Sequence, residues 1–84
     1  MNDWPDWWYW DLELSPHLLK RMVERRFSET DLRAMLQGIH ICNPDLEPGR
    51  WVIKALQDDE TWEIIVEPDE ALRLLVVITA YPVC

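Results

Sequence analysis

The run Leu74-Leu75-Val76-Val77-Ile78 constrains this chain more than any other segment. Five apolar residues in succession put apolar side chains on both faces of a strand. Such a strand belongs in the middle of a sheet, and the pattern predicts it over residues 72–81. Two further strand signals precede it. Arg50 to Leu56 is the first, and Asp58-Asp59 marks a turn. Thr61 to Glu67 is the second, with Trp62, Ile64 and Val66 on one face, and Pro68-Asp69-Glu70 marks another turn. Short connections of this kind favour an antiparallel meander.

The first half of the chain reads differently. Trp8, Trp10, Leu12 and Leu14 alternate with Tyr9, Asp11 and Glu13, a period of two that predicts a half-buried strand over 8–14. Residues 1–7 carry acids and Pro5 and read as an irregular, Trp-rich lead-in. Ser15-Pro16 then gives the N-cap and first residue of a helix. Leu18, Leu19, Met22 and Val23 share one of its faces, and the helix ends near Arg26, which would fall inside that face. Ser28 caps a second helix, with Asp31 completing a capping box. Leu32, Met35, Leu36 and Ile39 make its apolar stripe, and Gly38 suits its C-terminal stop. Residues 43–49 read as a loop. The expectation is an α+β domain over residues 1–84. Its two helices pack on a mostly antiparallel sheet of three to four strands, in the order β-α-α-β-β-β.

Eighty-four residues hold one domain, with little room for a deep cofactor pocket. The net charge is −8, which argues against a general nucleic-acid field. The charge is unevenly spread. Residues 1–14 hold four acids and no base, whereas residues 15–26 hold Lys20, Arg21, Arg25 and Arg26 against Glu24 alone. The only basic segment is therefore the first predicted helix. No basic n-region with a long apolar stretch is present, and no apolar run approaches a membrane span, so a soluble cytoplasmic protein is expected, with no membrane contact. Cys42 and Cys84 have no metal spacing with each other or with the histidines and read as reduced thiols; no metal or cofactor is expected. Walker, GxGxxG, CxxC, HExxH and GxSxG patterns are absent.

Several residues are candidates for chemistry. His17, Arg21 and Arg25 are spaced by four and form a stripe on the first helix. An imidazole moves protons near neutrality, and guanidiniums hold phosphate. The same stripe also fits an ordinary solvated face. Thr79 and Tyr81 lie two apart on the last strand and point to one side, either into a site or simply out of the core. Arg50 opens a strand and joins Arg21 if the helix packs near that strand end. Trp4 and Trp7 read two ways, as a surface for a protein partner or self-association, or as a lid folded back on the core. Glu63 and Glu67 lie about 13 Å apart along a strand, too far to share a metal, and read as surface charge.

A group of segments carries a resemblance. They are Ser15-Pro16-His17-Leu18-Leu19-Lys20-Arg21-Met22 with Glu24-Arg25, and Ser28-Glu29-Thr30-Asp31-Leu32. Gly49-Arg50-Trp51-Val52-Ile53, residues 62–68 and residues 75–81 complete the set. Over about residues 12–82 the chain resembles small bacterial proteins related to the RelE and BrnT ribonuclease toxins, of the barnase–EndoU–colicin–RelE fold. The resemblance implies a RelE-like fold and a metal-independent endoribonuclease of a toxin–antitoxin system. It implies RNA or the ribosome as target and a cognate antitoxin or other protein as partner. By that likeness His17 is the acid or base, Arg21 and Arg50 hold the phosphate with Arg25 beside them, and Thr79 and Tyr81 line the site, Tyr81 stacking on a base or sharing proton transfer. The alternative is a non-catalytic interaction module on the same fold, using the acidic Trp-rich surface of Trp4 and Trp7 to bind a protein or a second copy.

Overall fold

The computed structural model describes residues 6–37 and 39–83. A short 3-10 helix, Asp6–Tyr9, leads into strand β1, Asp11–Leu14. Helices α1, Pro16–Arg25, and α2, Glu29–Gln37, follow. Strands β2, Ile39–Pro44, β3, Trp51–Gln57, β4, Glu60–Asp69, and β5, Leu74–Val83, complete the chain. The five strands form one mixed sheet in the order β1-β5-β4-β3-β2. The fold is α+β, with β2 to β5 an antiparallel meander and β1 parallel to β5. The apolar run of β5 lies between β1 and β4, as its two-sided pattern requires.

Local chemistry explains the helix ends. Ser15 is extended, its side chain accepts from the Leu18 amide at 3.0 Å, and Pro16 stands at the first helical position. Arg26 closes α1 in the left-handed region at φ 55°, its amide bonding to Met22 O. At α2 the Ser28 amide donates to Asp31 Oδ2 and the Asp31 amide donates to Ser28 Oγ, a reciprocal box. Asp58 and Asp59, at φ 50° and 64°, make the tight turn between β3 and β4.

Three expectations are corrected. The first strand is shorter than 8–14, because Trp8 and Tyr9 belong to the 3-10 helix and only 11–14 pair with β5. The sheet has five strands rather than three or four. Ile39, expected at the end of the second helix, and residues 43 and 44, expected in a loop, belong to β2 and pair with β3. β2 is an edge strand whose Asn and Pro look like turn residues; Pro44 is tolerated because an edge needs no donor on its outer side. Lastly, α1 buries only half of its apolar face. Leu18 is fully buried and Met22 packs on the core, but Leu19 is 49% and Val23 80% exposed. Gly38 lies outside the described residues.

Both helices lie on one side of the sheet. Leu18, Leu32, Met35 and Leu36 pack in one cluster with Ile53, Trp62, Ile64, Val66, Leu75, Val77 and Ala80. Burial of each such side chain contributes about 1.5–3 kcal/mol. α1 packs along β5 and α2 along β3. Among the described residues no helix lies on the opposite face of the sheet.

Candidate functional site

The facing of β5 decides where its polar residues go. Val66 pairs with Val77 but Ile65 pairs with Thr79, so Ile78 is an extra residue, a β-bulge. Leu75 and Val77 face the core before it; Ala80 faces the core after it. The bulge thereby turns Thr79 and Tyr81 to the helix-free face. Ser15 holds the bulge: its amide donates to Val77 O at 3.1 Å and its hydroxyl to Ile78 O at 2.7 Å.

On that face the register lays out three cross-strand rows. Lys54, Glu63 and Tyr81 form one, Val52, Ile65 and Thr79 the next, and Glu67 and Val76 the third. The Tyr81 hydroxyl donates to Glu63 Oε1 at 2.7 Å, and Lys54 Nζ lies 3.9 Å from Glu63 Oε2. This hydrogen bond, then partial burial and the charges of Glu63 and Asp45, push the Tyr81 phenol above its ordinary range. Tyr81 is therefore a donor at neutral pH and Glu63 an acceptor. Arg50 bonds Glu67 Oε1 at 3.2 Å, at the far row.

The basic stripe of α1 runs beside the same strand. β1 pairs with β5 only as far as Val77, and beyond that point the Ile78 and Ala80 carbonyls accept from Ser15 and from Arg25 of α1. Arg25 Nη1 donates to Ala80 O at 2.7 Å, one residue from Tyr81. Arg21 bonds Glu24 at 2.5 Å and holds that carboxyl below its usual range. His17 is exposed one turn before Arg21. Thus Arg25 holds the backbone one residue before Tyr81, and Thr79 lies two residues before Tyr81 on the same strand. Arg50 does not join Arg21: α1 follows β5 while Arg50 is held by Glu67 on β4, and each arginine has its own carboxylate. No hydrogen bond or ion pair links the side chains of His17 or Arg21 to those of Thr79 or Tyr81 among the described residues.

Spacing along one strand leaves Lys54 unremarked and does not show what Glu63 and Glu67 face. Glu63 and Glu67 read as surface charge on their own strand; their roles come from cross-strand neighbours. The two-residue turn at Asp58-Asp59 does set Lys54 opposite Glu63, so that pair was recoverable. Of the two readings of Trp7 the burial fits the one that folds it back on the core: the residue is 9% exposed and its ring lies 5.6 Å from that of Trp51. Trp4 lies outside the described residues. Among those residues no three His, Cys, Asp or Glu side chains gather as metal ligands, and no helix is long and apolar enough to cross a membrane.

Chemically, the helix-free face offers a hydrogen-bonded acid–base pair with an ammonium beside it and guanidiniums at its edge. No curated protein and no solved structure matches the chain. A family model matches residues 14–82, from the end of β1 through Ser15, the α1 stripe, Glu63 and Tyr81, and leaves out the Trp-rich start. The chain belongs to that family, described as a domain of unknown function, DUF4258.

Proposed function

We propose that the helix-free sheet face is the cleavage site of a toxin-like, metal-independent endoribonuclease on a RelE-like fold. The observation that carries the reading is the meeting of Arg25 with the strand end that presents Tyr81, whose hydroxyl is 2.7 Å from Glu63. RNA reaches the helix-free face past the end of β5, where Arg25 of α1, the one segment in which the −8 chain is positive, bonds the Ala80 carbonyl. Glu63 takes the proton of a ribose 2′-hydroxyl, and the 2′-oxygen attacks the adjacent phosphorus. Lys54 and the α1 arginines steady the phosphorane charge. The P–O5′ bond breaks, and His17 returns a proton to the leaving oxygen. The products carry 2′,3′-cyclic phosphate and 5′-hydroxyl ends. Tyr81 orients Glu63 and offers its ring to a base, with Thr79 beside it. Arg50, held by Glu67 two rows away, contacts the strand at a neighbouring phosphate rather than the scissile one.

The test is incubation of purified protein with RNA in EDTA. Cyclic-phosphate ends are expected from the wild type. Removal of a general base costs about 10²–10⁴-fold, which is the loss expected for Glu63→Gln. Intact RNA with the wild type, or equal cleavage by Glu63→Gln, would refute the assignment. A second reading is a non-catalytic interaction module. Burial of Trp7 weakens its Trp-based form, but exposed Ile41, Leu56 and Val83 favour the sheet face as a protein surface. A copurifying protein or dimer lost in Leu56→Asp, without RNA cleavage, would establish it.

A further inference from the structure

A groove lies on the helix-bearing side of the sheet. It is an open groove of about 340 Å³ between β1 with its preceding 3-10 helix and the outer side of α2. Its floor is apolar, made by Leu12, Leu75 and Leu36. Tyr9 and Trp10 supply two aromatic walls, and Tyr9 is 80% exposed. Volume and lining fall in the range of small-ligand sites.

The polar side chains that line the groove are one cation, Arg33, and one neutral amide, Gln37. Arg33 and Gln37 stand on α2, and the Arg73 guanidinium carbon sits 5.9 Å from the Trp10 ring centroid. The parallel register explains this last contact, because Asp11 pairs with Leu74 and so sets Trp10 beside Arg73. Arg33 is paired only through Nε, with Glu29 at 3.0 Å across an exposed helix surface, a weak bond that leaves its other donors open. Arg73 has no carboxylate partner, and the Tyr9 hydroxyl and Gln37 amide make no hydrogen bond, among the described residues. An apolar floor, two aromatic walls, the Arg33 cation at the rim and the Arg73 cation beside the Trp10 ring select a flat ring with an anionic group attached.

We infer that this groove is a binding site for a planar aromatic anion, the chemistry shared by nucleoside monophosphates and simple aromatic carboxylates. The ring packs between Tyr9 and Trp10 over Leu12 and Leu36, and the anion meets Arg33 with Arg73 flanking. Neither side chain belongs to the proposed cleavage face, so the inference stands apart from the RNA reading.

The test titrates the full chain with AMP, 2-naphthoate and adenosine, followed by calorimetry and by amide and indole NMR shifts. Binding of AMP or 2-naphthoate tighter than about 1 mM is expected, with shifts at Tyr9, Trp10 and Gln37. Binding of AMP alone assigns the nucleotide as the source; binding of 2-naphthoate alone assigns a free aromatic acid. Arg33→Gln and Tyr9→Ala alter exposed residues and should keep the melting temperature. Loss of a hydrogen bond to a charged group predicts a weakening of about tenfold or more for Arg33→Gln. No binding by either anion overturns the inference. So do shifts confined to other surfaces, adenosine binding as tightly as AMP, or unchanged affinity in both variants.

Discussion

Ser15→Ala is the perturbation that probes the most structure with one atom. The hydroxyl accepts from the Leu18 amide at 3.0 Å and donates to Ile78 O at 2.7 Å. Loss of the N-cap costs about 1 kcal/mol. Loss of the bond to Ile78 O, at a half-buried strand position, costs about another 1 kcal/mol. The expected destabilisation is therefore about 2 kcal/mol, read by urea unfolding. With a slope of about 1 kcal/mol/M for a domain this small, the midpoint falls by about 2 M. Ser15→Asp separates the two bonds. A carboxylate still caps the helix but cannot donate to Ile78 O, so it should be more stable than Ser15→Ala and less stable than wild type. The second consequence is functional. The Ile78 bulge turns Tyr81 to the helix-free face, so Ser15→Ala should also weaken the Tyr81–Glu63 bond and return the phenol toward its ordinary range. A loss below about 0.5 kcal/mol, the scale of a neutral surface substitution, would refute the reasoning.

Further outcomes follow from the same geometry. Leu18→Ala should cost about 3 kcal/mol, while its neighbour Leu19→Ala, half exposed, should cost under about 1 kcal/mol by thermal melting. Asp59→Gly should raise stability by about 1 kcal/mol in the same assay, since Asp59 holds φ 64° without a glycine. The Tyr81 phenol has its folded pKa raised above its ordinary value of 10.0, so the stability it contributes is fully present below pH 10.0 and is lost as pH rises through the folded value. Ultraviolet titration at the tyrosinate band should show one of the tyrosines ionising late in wild type and earlier in Glu63→Gln. Burial also pushes the Cys42 thiol up, so alkylation by iodoacetamide at pH 8 should be slow in the folded chain and fast in urea.

Much of the fold was legible in local chemistry. Ser15-Pro16, the Ser28–Asp31 box and the two-sided apolar run each act through neighbours within a few residues, and each appears where its pattern puts it. β2 was hidden because an edge strand needs little propensity of its own; pairing with β3 overrides Asn43 and Pro44. Leu19 and Val23 looked like core because a helical wheel shows which residues share a face, not how much of that face is covered.

The site was legible by residue and not by arrangement. Tyr81, Thr79 and Arg25 gather at one strand end, but the facing of Tyr81 depends on the bulge at Ile78. A regular hairpin continued from the Val66–Val77 pair would point Tyr81 into the core instead. Nothing local in Val77-Ile78-Thr79 announces that extra residue; the bonds from Ser15, 63 residues earlier than Ile78, help to hold it. Glu63 reads as surface charge from its own strand for the same reason, since its neighbours are set by the strands on either side of it.

The central claim is tested most directly by induced expression of the wild type beside Glu63→Gln, with growth and total RNA followed together. The account predicts growth arrest and fragmented RNA with the wild type, and normal growth with intact RNA for Glu63→Gln at equal protein level. A wild type that leaves growth and RNA unchanged, or a Glu63→Gln chain as toxic as the wild type, would contradict it.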